Sequence, residues 1–243
     1  MEIHTFVESD QLVLQIVNCL ITLVSFILPS LLVLVPIRFL TKLPSFVFRK
    51  LLHFVAFTCV TLMILSAQSW QAAALTSVLV AVVVYPILAA LEKADWFDKL
   101  FLPKSPGETK RSLLLLFIMF AVLITISWGV FGQRHLAAAA ILMWGTGDAA
   151  AALVGIPFGK HKVRSRLTDG KKSWEGSLAM LLVSFASGMI ILIAFQKMPF
   201  SKAFFAAFIA ALFGTATELL SPSEYDTVTV PMVIITVLLL IVR

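Results

Sequence analysis

The residues able to do chemistry crowd into one stretch, WGTGDAAAALVGIPFGKHKVRSRLTDGKKSWEGS, from Trp144 to Ser177. Asp148 stands eight residues before Ile156, where an apolar run ends, so it lies roughly 12 Å down a helix. A carboxylate at that depth costs several kcal/mol unless it meets a cation, a metal or a water-filled cavity. The plainer reading is a structural Asp bonded to a neighbouring helix. Gly147, Ala151 and Gly155 recur every four residues and form a small-residue face for close helix packing. The loop that follows carries Lys160, Lys162, Arg164, Arg166, Lys171 and Lys172 against Asp169 alone, punctuated by Gly159 and Gly170. Bare backbone N–H groups with Lys point charges and Arg forks are what phosphate recognition uses. A basic loop resting on anionic lipid headgroups is the competing reading. This is not a Walker A loop, because Gly155 to Gly159 is one residue short and Lys160 precedes His161 rather than Ser or Thr. In KKSWEG, Ser173 reads as a helix N-cap with Glu175 in the first turn. A helix N-terminus attracts phosphate; the N-cap Ser173, with Gly176 behind it, would sit there, and Glu175 offers oxygen to Mg2+.

Two further groups belong with this stretch. Arg49, Lys50 and His53 form RKLLH, with His53 one helical turn beyond Arg49; interfacial snorkelling is the bland explanation. Glu218, Glu224 and Asp226 gather around a loop without a base, against the charge rule for inside loops. That arrangement favours a metal or a pairing with the basic loop. Candidate metal ligands are therefore Asp148, Glu175, Glu218 and Asp226.

The elements that position these groups follow from composition. Of 243 residues, 60% are hydrophobic and 13% charged, with a mean hydropathy of +1.01. A soluble domain carries about 25% charged and 45–50% apolar residues. Soluble enzymes, disordered chains, coiled coils and nucleic-acid-binding domains are excluded. The net charge of +6 sits in loops between apolar runs and is no nucleic-acid signal. The expectation is an all-α polytopic membrane protein, one domain over 1–243, with about eight spans or seven, since a span takes about 20 residues.

The apolar runs are Gln11–Pro36, Leu51–Ala67, Ala72–Leu91, Ser112–Phe131, His135–Ile156, Trp174–Phe195, Ala203–Leu220 and Val228–Val242. Pro29 and Pro36 predict a kink or re-entrant end in the first, and Pro231 an irregular or short last run. Cys19 and Cys59 fall inside apolar runs and read as buried hydrophobes. The N-terminal MEIHTFVESD has neither the basic start of a secretory signal nor the bias of a transit peptide. Alternating the spans puts 15 Lys and Arg on one side and 4 on the other. By the positive-inside rule the N-terminus is outside and every candidate residue opens to the cytoplasm.

Carboxylates beside many cations suit a Mg2+-bound polyphosphate, whose transfer needs mainly charge neutralisation and alignment. The residues closely resemble the CTP-dependent lipid-alcohol kinases: dolichol kinase, phytol and farnesol kinase, and the CTP-dependent diacylglycerol kinase. That family's pattern is D-x-x-A-x-x-x-G-x-x-x-G, a spacer, then K-K-[TS]-x-E-G. Asp148, Ala151, Gly155 and Gly159 match it, as do Lys171, Lys172, Ser173, Glu175 and Gly176. The spacer, residues 160–170, is longer than usual for the family. RKLLH is similar to the family's basic segment. Glu218, Asp226-Thr227 and Pro231 resemble its C-terminal E…D-D-N…P pattern, with Tyr225 and Thr227 departing from it.

The resemblance implies Mg2+-dependent transfer of the γ-phosphate of CTP to the hydroxyl of a membrane isoprenoid alcohol or diacylglycerol. It implies catalytic roles for Asp148, Glu175 and His53. Nucleotide contacts would come from Arg49, Lys50, Gly155, Gly159, Lys160, Lys162, Lys171, Lys172, Ser173 and Gly176. The expected setting is a bacterial plasma membrane, or an endoplasmic-reticulum-type membrane in a eukaryote. The alternatives are a phosphatidate cytidylyltransferase, whose Lys-Asp, His-Gly-Gly and D-R-x-D signature is missing here, and a transporter of an anionic solute. A transporter often shows repeated halves, and the sequence has no such repeat.

Overall fold

The computed structural model describes residues 2–41, 43–94, 97, 107–163, 170, 172–222 and 225–242. Among them run eight α-helices: α1 Glu2–Leu40, α2 Ser45–Ser66, α3 Trp70–Leu91, α4 Glu108–Ile124, α5 Arg134–Phe158, α6 Trp174–Ala194, α7 Phe200–Leu220 and α8 Asp226–Val242. α4 runs on into a π-helical turn, Thr125–Val130. No strand is present among the described residues, only an antiparallel bridge between Lys162 and Ser173.

Seven helices are long and apolar enough to cross a membrane; α8, with 17 residues, is shorter. At 1.5 Å per residue it reaches about 26 Å, just under a hydrocarbon core of about 30 Å. The all-helical polytopic class therefore holds. α1 is one continuous helix with Pro29 and Pro36 inside it, not a re-entrant segment. Spanning helices tolerate proline where neighbouring groups re-satisfy the backbone. Pro231 likewise sits within α8.

α5 is the centre of the bundle, packed most extensively on α6 and also on α2, with α7 and α8 continuing from α6 and α3 lying on α4. The α5–α6 seam is built from small residues. A Cβ at Gly147 would lie 2.1 Å from Ser184 Oγ, and one at Gly176 only 2.8 Å from the Ala151 carbonyl oxygen. The two backbones can approach this closely only because those side chains are absent. Polar groups fasten the seam where no water competes: Ser184 Oγ donates to the Met143 carbonyl at 2.8 Å, and Thr146 and Ser187 hydroxyls pair at 2.7 Å. Deeper in the bundle Phe57, Phe120 and Trp144 meet edge to face, with centroids 4.7 to 5.9 Å apart. Cys19 and Cys59 are buried free thiols, in keeping with their apolar runs.

At one end of the bundle Arg134 caps α2, donating to the carbonyls of Ile64 and Leu65 and lying 5.0 Å above the Trp128 ring. The alternating helices carry Arg49, Asp148, Lys172, Glu218 and Asp226 toward the opposite end.

Candidate functional site

A cavity of about 650 Å³ opens at that opposite end, lined from α2, α4, α5, α6, the end of α7 and the start of α8. Its walls include Arg49, Lys50 and His53; Asp148 and Gly155; Lys172, Ser173 and Gly176; and Glu218 and Asp226. Segments separated by more than a hundred residues thus converge on one volume.

Asp148 finds both of the things its depth demands. Lys50 Nζ donates to its Oδ2 at 2.6 Å, and the cavity gives it a polar opening. A carboxylate and an ammonium that arrive from different helices neutralise each other where isolated charges would be costly. Arg49, one residue before Lys50, lies 3.7 Å from Glu108 at the start of α4.

Lys172 forms a second charge centre. Its side chain is only 8% exposed, with Nζ 3.2 Å from Glu218 Oε1 and 3.0 Å from Asp226 Oδ2. It also donates to the Glu218 carbonyl. Of the C-terminal acids expected to hold a metal or pair with the basic loop, Glu218 and Asp226 pair with it through this lysine. Beside it α6 begins. Ser173 is its N-cap, accepting from Gly176 N–H at 3.3 Å. The N–H groups of Trp174, Gly176 and Ser177 are taken by the His161 carbonyl, Ser173 Oγ and the Ser173 carbonyl, so the start of α6 offers an anion its positive dipole end beside Lys172 rather than free donors.

Glu175 faces elsewhere. Its carboxylate accepts from the backbone N–H groups of Lys160 and His161 at 3.1 Å and pairs with His161 Nδ1 at 2.7 Å, and it does not line the cavity. Lys160, Lys162 and Gly159 also lie off the cavity wall. Lys162 donates to the Gly155 carbonyl at 3.3 Å. The Val163 N–H bonds the Lys172 carbonyl at 3.0 Å, and the Trp174 N–H the His161 carbonyl at 3.1 Å. The start of the loop is thereby tied alongside its end. A Cβ on Gly159 would lie 2.3 Å from the Gly155 carbonyl oxygen and 2.5 Å from Ser173 Oγ. The motif glycines therefore serve close packing of α5, the loop and α6. Lys171, Arg164, Arg166 and Glu224 lie outside the described residues.

The carboxylates of Asp148, Glu218 and Asp226 share the cavity, yet among the described residues no three His, Cys, Asp or Glu groups form an all-protein metal cage. Mg2+ commonly takes one or two carboxylates and completes its shell with phosphate oxygens and water. The donor set fits a metal shared with a bound polyphosphate. Sequence reasoning passed over Glu108, Thr109, Ser112 and Ser177, all of which line the cavity. A signal was there: Glu108 with Ser112, and Ser173 with Ser177, place polar groups one turn apart where apolar runs begin.

Comparison with known proteins gives a modest likeness. The chain is 31% identical over 136 residues to a phytol kinase of Synechocystis sp., a match covering 54% of this chain and 55% of that protein. The chain thus spans about half the length of the curated relative it matches. No family model matches the chain, and no solved structure matches it.

Proposed function

We propose that this protein is a lipid-alcohol kinase, transferring the terminal phosphate of CTP to the hydroxyl of a membrane isoprenoid alcohol of the phytol or dolichol type, or of diacylglycerol. One observation carries the reading: Lys50–Asp148, the Lys172–Glu218–Asp226 cluster and the capped start of α6 line one cavity at the end of a membrane bundle. The likeness to a phytol kinase supports the acceptor class, and the sequence resemblance supports CTP.

Each group has a part in this scheme. Lys172 and Arg49 bind the polyphosphate at the positive dipole end of α6. Lys50 sits where charge builds on the transferred group, and electrostatic stabilisation of that kind is the main protein contribution to phosphoryl transfer. Asp148 orients the acceptor hydroxyl and takes its proton, with His53 on the same wall. Mg2+, when bound, would supply charge neutralisation, held by one or two of the carboxylates of Asp148, Glu218 and Asp226 with phosphate oxygens completing its shell. Glu175 works at one remove, fixing the loop against α6.

The test uses purified protein in lipid with a prenyl alcohol and CTP labelled at either the γ- or the α-phosphate. Kinase activity carries only the γ-label into lipid. Transfer of the α-label marks a cytidylyltransferase, and no transfer, with ATP offered in parallel, removes the proposal.

A further inference from the structure

The cavity changes character within one turn on five of the six helices that line it, α7 contributing only Glu218. On α2, His53 gives way to Phe57; on α4, Ser112 to Leu116; on α5, Asp148 to Trp144; on α6, Ser177 to Met180; on α8, Thr227 to Val230. The charged and hydroxyl groups that line the cavity thus all lie in its outer part, and the inner part is apolar. The floor is firm: Phe57, Phe117 and Trp144 are each less than 5% exposed, and all three rings lean edge-on against Phe120. At the boundary stands Ser177, 5% exposed, whose hydroxyl has no hydrogen-bond partner among the described residues. Most buried hydroxyls in helices are satisfied, if only by a carbonyl one turn back. An unpaired one that lines a cavity is ready for a ligand.

We propose that this inner half is the seat of the acceptor, its hydroxyl held at Ser177 beside Asp148 and its first carbons packed on the Phe57–Phe117–Trp144 floor. The occupant follows from the walls. A nucleobase stacks on aromatic rings, but its polar edge would meet only Leu116, Met180 and Val230 around this floor and stay unpaired, while a hydrocarbon without a head group has no use for Ser177 and Asp148. A lipid alcohol matches both halves in the order in which the helices present them. Contact of this kind makes Trp144 and Ser177 specificity-determining residues. The inference rests on the kinase reading for its chemistry but not for its binding geometry.

The experiment separates the two. A phytol analogue bearing a diazirine near its hydroxyl is photolysed with the full-length protein in detergent, without nucleotide, and the labelled peptides are read by mass. Labels on the peptides of Phe57, Phe117 or Trp144, competed by unlabelled phytol, are expected. Labels confined to lipid-facing residues such as Val13 and Leu32, both exposed on α1, overturn the seat even if phosphate transfer is found. Floor labelling without phosphate transfer keeps the seat and removes the kinase. Ser177→Ala should raise the acceptor KM about fivefold, the effect of one neutral hydrogen bond. Trp144→Leu should raise it about tenfold. Both should leave the nucleotide KM unchanged. A shift in the nucleotide KM instead assigns these side chains to the donor and overturns the proposal.

Discussion

Two lysines decide the electrostatics of the site, and they do so differently. Lys50 meets one carboxylate, Asp148, at 2.6 Å; Lys172 is buried between two, Glu218 and Asp226. Asp148→Asn keeps the shape and removes the charge, so turnover should fall about 10²–10³-fold while the variant stays folded, with a melting temperature lowered because Lys50 loses its counter-charge. Full activity in a folded Asn variant removes Asp148 from the chemistry. Lys172→Met should act on the fold first, because it leaves two acids facing each other without a counter-charge, at a cost of about 3–5 kcal/mol. Adding Glu218→Gln should recover part of that loss in thermal unfolding, as members of one network are not additive. Purely additive losses would show that the three groups are not a unit.

Helices and their seams explain what the sequence could and could not disclose. The Ser173 cap and the small-residue face of Gly147, Ala151 and Gly155 are readable because they depend on neighbours within one or two turns. Lys172 meeting Glu218 and Asp226 is a contact across 46 and 54 residues, set by how α6, α7 and α8 pack. Only the charge imbalance of the C-terminal loop hinted at it. The direction in which Glu175 faces was unreadable for a related reason: a place in the first turn does not say which side of the helix a residue occupies. Its bonds to the amides of Lys160 and His161 predict that Glu175→Gln speeds hydrogen exchange at those two amides, about tenfold for a lost charge-assisted bond. Unchanged exchange would free Glu175 for another role. The seam itself is tested at Gly176, where even a Cβ falls 2.8 Å from the Ala151 carbonyl oxygen. Gly176→Val should cost at least about 1–3 kcal/mol through overpacking. Gly170→Ala, at φ 70° with no atom within 4 Å, should carry only backbone strain of about 1–2 kcal/mol. A wild-type melting temperature for Gly176→Val would mean that the seam yields.

At the scale of the whole molecule, the bundle has two unlike ends. The cavity, its two lysine-centred clusters and the Lys110–Glu92 pair at 2.9 Å occupy one end. The other holds Arg134 folded onto α2 and His135 paired with Gln196 at 2.7 Å. By the positive-inside rule the Lys and Arg split of 15 to 4 predicts that the cavity end faces the cytoplasm, where nucleotide and Mg2+ would be at hand. This orientation makes a sharp prediction. Right-side-out vesicles given CTP and a prenyl alcohol should be inactive until permeabilised, and inverted vesicles active at once. EDTA should abolish the activity of both preparations and added Mg2+ restore it, since Asp148, Glu218 and Asp226 offer hard oxygen donors and both cysteines are buried apart in the apolar bundle. Restoration by Zn2+ but not Mg2+ would contradict the carboxylate set. If sealed right-side-out vesicles phosphorylate lipid from external CTP, the molecule is inserted the other way up. The excess of basic residues would then have to be held at the outer face by the ion pairs of the site itself.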